Sequence, residues 1–194
     1  MYIIFDLETT GLPKKKNALI TDLDNWPRVV QIAWSCHDAD GRVLSANDYI
    51  ISPDGFTIPA EAAKIHGITD ERARREGVFA TEALIPFAQA VKSSQYLVAH
   101  NISFDYPVIF AEFQRYNIAH SLDSREQICT MKTKAVIHHC QMKNKQGGLK
   151  WPKLSEMYQV LFGEPFPDAH DARADVNACA RCFFELKRRG IFDE

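Results

Sequence analysis

Two carboxylates interrupt an otherwise apolar run at the start of the chain, Ile3-Ile4-Phe5-Asp6-Leu7-Glu8-Thr9-Thr10-Gly11. A short apolar run closed by polar residues and a glycine reads as a buried strand over residues 2–8. Alternate residues of a strand face the same way, so Asp6 and Glu8 share a face with Ile4. At a rise of about 3.3 Å per residue their backbones lie roughly 6–7 Å apart, so both side chains can reach one small cation. An unpartnered carboxylate on a buried strand is costly, and two together repel. No lysine or arginine stands nearby in sequence to compensate. A metal ion is the simplest counter-charge.

The remaining elements follow from periodicity. Val29 to Ser35 and Val43 to Ile51 read as two further strands, joined by a turn near Asp40-Gly41. Together with the first they form an antiparallel meander. Lys14 to Pro27 is polar and bounded by proline, and reads as a loop longer than such a link needs. Short helical pieces are expected over 58–77, then a helix from Thr81 to Ser93, a short strand from Tyr96 to Ala99 and a helix to about Tyr116. Further helices are expected near 130–141, from Leu154 to Phe162 and from Ala172 to Arg189. In the last, Val176, Cys179, Ala180, Phe183 and Leu186 form an apolar stripe, and Gly190 follows as its cap. Strands first, then alternating strand and helix, is the pattern of an α/β fold with a mixed sheet covered by helices.

Composition bounds the class. The 194 residues are 46% apolar and 25% charged, which predicts one soluble globular domain over 1–194. No apolar run approaches the roughly 18 residues of a membrane span. A strand starting at Tyr2 leaves no room for a signal peptide. Five cysteines without framework spacing are expected to be reduced thiols in a cytoplasmic protein. A net charge of −2 taken alone argues against nucleic acid as a partner. Its distribution argues otherwise. Gln127 to Ser155 holds no acid but six lysines, at 132, 134, 143, 145, 150 and 153, and Lys14-Lys15-Lys16 adds a second cluster. Solvated lysines explain any one of these, whereas an electrostatic track for a phosphate backbone explains the pattern.

Two more carboxylates stand out downstream. Asp105 falls on one helical face with Ile102, Ile109 and Phe113, just after a short strand whose carboxyl end is a natural ligand site. Its alternative role is an N-cap, with Pro107 confining the region to the first helical turn. In His170-Asp171-Ala172-Arg173-Ala174-Asp175, Asp175 lies on the first turns of the last helix and Asp171 reads as its cap. Beside acids and a metal, His170 is a candidate general base.

These three segments resemble the three motifs of the DnaQ-like 3′–5′ exonucleases, in the DEDDh subclass with four acidic ligands and a histidine base. Asp6 and Glu8 in Phe-Asp-Leu-Glu-Thr-Thr-Gly match the first motif, Asp105 in His-Asn-Ile-Ser-Phe-Asp the second, and His170 with Asp175 the third. The sibling subclass has a tyrosine four positions before its last aspartate, where this chain has Asp171. His66-Gly67-Ile68-Thr69 is similar to a family segment leading into the substrate cleft. The match runs from residue 1 to about 189, and the family includes the proofreading epsilon subunit of bacterial DNA polymerase III.

The resemblance implies a ribonuclease H-like fold with a mixed five-stranded sheet, and two divalent cations, Mg2+ or Mn2+. Hard cations suit carboxylate oxygens, and a pair of ions can serve both the attacking and the leaving oxygen of a phosphodiester. Asp6 is assigned to bridge the ions, with Glu8, Asp105 and Asp175 completing the ligand set and His170 taking a proton from water. Thr9, Thr10, His66, Asn101 and Phe104 are assigned to the substrate. The competing roles are a polar strand end for the threonines, a structural turn for His66 and core packing for Phe104.

The expected activity is release of nucleoside 5′-monophosphates from single-stranded, frayed or mismatched 3′ ends of DNA, with weak sequence preference. An RNA-trimming exonuclease of the same fold shares these motifs, because discrimination turns on the 2′-hydroxyl. A nonhydrolytic binding module would be expected to lose ligands, yet all five catalytic positions are filled. A zinc site would need paired ligands at short spacing. Cys179-x-x-Cys182 falls within a helix with Cys179 on its buried stripe, which argues against one. The epsilon subunit carries a flexible C-terminal extension that binds the polymerase, whereas this chain stops at Glu194, just after its last helix. A free-standing exonuclease, or one bound to a polymerase through its surface, is expected rather than a subunit tethered that way.

Overall fold

The computed structural model describes residues 1–166 and 171–192. Five strands are present, β1 (Tyr2–Thr9), β2 (Val29–His37), β3 (Val43–Ile50), β4 (Tyr96–Ala99) and β5 (Glu126–Cys129). The helices are α1 (Ala60–His66), α2 (Asp70–Glu76), α3 (Ala80–Ser93), α4 (Ile102–Arg115), α5 (Lys134–Cys140), α6 (Leu154–Phe162) and α7 (Ala172–Arg188). The sheet order is β3-β2-β1-β4-β5. β1, β2 and β3 form the expected antiparallel meander, while β4 runs parallel to β1 and β5 parallel to β4. β5 is the strand that periodicity did not locate. Its four residues, Glu-Gln-Ile-Cys, lie at the sheet edge and carry neither an apolar run nor a clean alternation.

The two faces of β1 go to different cores. Ile3, Phe5 and Leu7 pack with Phe87 of α3 and Phe113 of α4. Tyr2 and Ile4 pack beneath Val176, Cys179 and Phe183 of α7. Both faces of β2 are covered as well, and all nine of its residues are buried. Asp6 and Glu8 continue the Tyr2–Ile4 face and therefore point toward the start of α7. The stripe read along α7 divides in two. Val176, Cys179, Ala180 and Phe183 lie on the sheet, whereas Leu186 turns with Ala178 and Cys182 into a second core shared with α5 and α6.

The turn between β2 and β3 contains Gly41 at φ 85°, where a Cβ would meet the Phe184 ring at 2.9 Å. Glycine is required there both for its conformation and for the closeness of α7. The 14–27 segment is a loop, as expected, but a pinned one. Buried Asn25 accepts from Lys15 N at 2.7 Å and donates to Lys15 O at 3.2 Å. Among the described residues, no helix is long and apolar enough to cross a membrane.

Candidate active site

Three elements deliver the acids to one cleft of about 380 Å3. Asp6 and Glu8 reach it from the carboxyl end of β1, Asp105 from the first turn of α4, and Asp175 from the start of α7. Carboxylate oxygens of Asp6, Glu8 and Asp175 lie within 4.8 Å of one another. Asp105, 3% exposed, lines the same cleft from the side. β1 and β4 are parallel, so their carboxyl ends open on the same side, where ligands bind in sheets of this kind. A register shift between Glu8 and Thr9 bends β1 away from its partner just beyond the second acid.

Each delivery has a local cause. Asn101 caps α4 in the left-handed region, φ 75°, so the chain turns sharply from β4 into the helix. This excludes the N-cap role for Asp105. The helix begins early enough to put Pro107 at its sixth residue, one turn deeper than the sequence pattern predicts. Asp171 caps α7, accepting from Ala174 N at 3.0 Å, which fits the capping role expected of it. Gln31, directly across from Glu8 in the β1–β2 ladder, ties that helix start to the sheet. Its Oε1 accepts from Ala172 N at 3.2 Å, and its Nε2 donates to Asp171 Oδ2 at 3.4 Å and Asp48 Oδ1 at 3.1 Å.

The acids are held at the expense of their charge. Burial pushes the Asp6 carboxyl well above the usual range, and Asp105, Asp175, Glu8 and Asp171 push it further. Glu8 is raised to about 8 by burial, then by Asp175 and Asp105. Asp105 is also raised to about 8, chiefly by burial and with a contribution from Asp175, while backbone amides of Asp105 and Leu7 pull the other way. Two carboxylates 4 Å apart repel by about 4 kcal/mol at an effective dielectric of 20, so the cluster is a site waiting for positive charge. Its donors are all carboxylate oxygens, which fit hard divalent cations better than zinc or copper.

A family model described as "Exonuclease" matches residues 3–183. The chain belongs to this exonuclease family. It is 36% identical over 129 residues to the Arabidopsis thaliana protein named exonuclease DPD1, chloroplastic/mitochondrial, a match covering 61% of this chain and 36% of that protein. It is 35% identical over 117 residues to DNA polymerase III PolC-type of Streptococcus pyogenes, covering 60% of this chain and 7% of the polymerase. The chain thus spans well under half the length of either relative. In structure it resembles E. coli exonuclease I in complex with a dA16 oligonucleotide, with TM-score 0.77 and 20% identity over 97% of this chain and 41% of that one. At that identity the likeness bears on the fold, a mixed sheet with flanking helices.

Of the substrate residues expected from the sequence, Asn101 and Phe104 line the cleft of this exonuclease-family chain. Phe104 also packs against the main core, the alternative role weighed for it. Thr9, Thr10 and His66 are not part of the cleft wall. Thr9 Oγ1 donates to Gly11 O at 2.8 Å. Thr10 is engaged by Arg28, accepting from its amide at 3.0 Å and donating its own amide to its carbonyl at 2.9 Å. His66 is buried at the end of α1, where Nδ1 accepts from Ile68 N at 3.1 Å. These contacts match the structural roles weighed for them. His170 lies outside the described residues.

Two further cleft residues, Lys153 of the acid-free lysine segment and His100 of the second motif, have no individual role assigned from the sequence. Lys153, just before α6, places a cation at the wall. His100 follows β4 and braces three segments. Its Nδ1 lies 3.0 Å from Thr130 Oγ1 and its Nε2 is 3.1 Å from the carbonyl of Pro152. Burial lowers its pKa to about 4, the Pro152 carbonyl opposing, so it is a neutral brace at pH 7. All five cysteines are free, and Cys179 and Cys182 point into separate apolar cores. That placement accords with the argument against zinc at this pair.

Proposed function

We propose that the chain is a 3′–5′ exonuclease that hydrolyses the terminal phosphodiester of single-stranded, frayed or mismatched DNA ends and releases nucleoside 5′-monophosphates. The observation that carries this reading is the convergence of Asp6, Glu8 and Asp175 within 4.8 Å, beside Asp105, in a chain matched by the exonuclease model over residues 3–183. Asp6, Glu8, Asp105 and Asp175 would hold two divalent cations, Mg2+ or Mn2+. When bound, these would supply charge neutralisation at the scissile phosphate and the leaving oxygen. Glu8 and Asp105, each raised to about 8, would give up their protons on metal binding, so metal affinity should rise with pH. Lys153 at the cleft wall would meet the incoming phosphate, Asn101 and Phe104 would receive the terminal nucleotide, and His170 would take the proton of the attacking water. Mg2+ or Mn2+ as the resident ion, DNA as the preferred polymer and cytoplasmic residence all belong to this proposal.

The test is incubation of 5′-labelled single-stranded DNA, 3′-mismatched duplex and single-stranded RNA with the protein, in Mg2+, Mn2+ or chelator. A metal-dependent ladder growing from the 3′ end, slowed about a hundred- to a thousandfold in Asp6→Ala, is expected, since each removed transition-state interaction of this kind costs about 3–4 kcal/mol. A ladder confined to RNA would replace DNA by RNA in the proposal. Equal degradation by Asp6→Ala would refute the catalytic assignment.

A further inference from the structure

The acid-free segment from Gln127 to Ser155 folds into one rim of the cleft. Met131, Lys153 and Ser155 belong to the cleft wall, and Lys132 Nζ donates to Ser103 Oγ at 2.5 Å, beside Phe104. Between these points the chain makes α5 and then a small hairpin, in which Lys143 pairs with Leu149 and Asn144 Oδ1 accepts from the amides of Gln146 and Gly148. Lys143 and Lys145 stand on this hairpin and form no ion pair among the described residues. The hairpin ends at Trp151. Of the three tryptophans, Trp26 and Trp34 are buried, at 8% and 2% exposed, whereas Trp151 is 42% exposed. Its neighbours on both sides are fixed. Lys150 donates its amide to Met142 O at 2.9 Å and its ammonium to Glu156 at 2.5 Å, and buried Pro152 accepts from His100 in the cleft wall. The indole is therefore held in water, one residue from a group bonded to the cleft.

We propose that Trp151 is a stacking platform for the nucleic-acid strand upstream of the scissile end, with Lys143 and Lys145 on the adjoining hairpin contacting its phosphates. This rests on the nuclease reading and adds to it a second contact surface outside the cleft. An exposed aromatic ring on a backbone pinned at both sides, with cations on the adjoining hairpin, is the combination that grips single strands without reading sequence. The fit is to an unpaired strand, since duplex stacking leaves no base face free for an indole.

Because the other two tryptophans are buried, intrinsic fluorescence reports this interaction directly. The wild-type protein in chelator is titrated with oligothymidylate, and binding is followed in parallel by anisotropy of a labelled strand. Quenching that tracks the anisotropy is expected. Trp151→Ala should abolish the quench and bind a long oligothymidylate about tenfold more weakly, the scale of one base stack, while its affinity for a dinucleotide changes far less. Trp151→Phe should restore most of the affinity, which guards against a folding defect. Lys143→Gln with Lys145→Gln should lower the slope of log affinity against log salt by about 0.7 for each phosphate that is no longer neutralised. Binding without quench, or undiminished long-strand affinity in Trp151→Ala, overturns the platform and leaves the nuclease reading standing. Failure of the wild type to bind oligothymidylate also overturns the platform, while the nuclease reading is judged separately by the metal-dependent ladder from the 3′ end.

Discussion

Gln31 holds the amino end of α7 against the sheet with a single amide, its carbonyl taking the amide of Ala172 and its NH2 reaching Asp171 and Asp48. Asp175 sits one turn further along that helix, so Gln31 sets where the fourth acid points. Gln31→Leu is expected to cost about 1–3 kcal/mol, because buried groups of the helix start are left without partners. It should also weaken the activating metal by about 10–100-fold, as removal of a group that orients a ligand typically does. Denaturant unfolding and the metal dependence of activity measure the two effects, and unchanged metal dependence would leave Gln31 purely structural. Gln31 is invisible as a site residue in the sequence because its partners at the helix start lie 140 and 141 residues away. Asp6 and Glu8 are legible because charge within an apolar strand is a local contradiction. Asp105 is legible for the same reason on a helix. Asp175, between Ala174 and Val176 on the first turns of a helix, is noticeable as an acid, but its role as a ligand comes from the family resemblance.

α4 does more than present Asp105. Glu112, two turns further along the same helix, is 2% exposed. It accepts from Arg28 Nε and Arg115 Nη1, both at 2.8 Å, and from Val29 N at 3.2 Å. Arg28 grips Thr10 through its backbone, two residues beyond Glu8, while Arg115 donates to the carbonyls of Leu23, Trp26 and Pro27. One buried carboxylate thus fastens the helix of Asp105 to the strand end of Glu8 and closes the 14–27 loop onto both. Glu112→Ala should destabilise by about 3–5 kcal/mol, since removing one partner leaves buried charge uncompensated. It should also open the loop to proteolysis between Lys14 and Asn25. Reduced stability without loop cleavage would show that the loop is held without Glu112. Most helices and four strands are legible from period and punctuation. The function of the long loop is not, because its anchors are side chains on a helix far along the chain.

At the scale of the whole molecule, the cleft stores electrostatic repulsion that the two cores must withstand. Glu8 and Asp105 take up protons with pKa values of about 8 in the folded protein, against about 4 in an unfolded chain. Between those limits the folded state binds more protons, so in chelator their contribution to stability falls as pH rises from about 4 to 8. Mn2+ should reverse that trend, because the ions replace the protons and bind more tightly as pH rises. Melting at about pH 5 and about pH 8.5, either side of most of this titration, with and without Mn2+, tests this. A metal-free stability that is flat across the window, or identical to that of a Glu8→Gln, Asp105→Asn variant, would contradict it. The order of the acids along the chain has a further consequence, for synthesis. A ribosome releases Asp6 and Glu8 first and Asp175 only after the whole sheet has emerged, and α7, which packs on β1 and β2, comes last of the helices. A growing chain therefore carries three of its four proposed ligands, Asp6, Glu8 and Asp105, idle until α7 emerges. For the proposed nuclease, translation itself would withhold the activity until this fold has almost fully emerged.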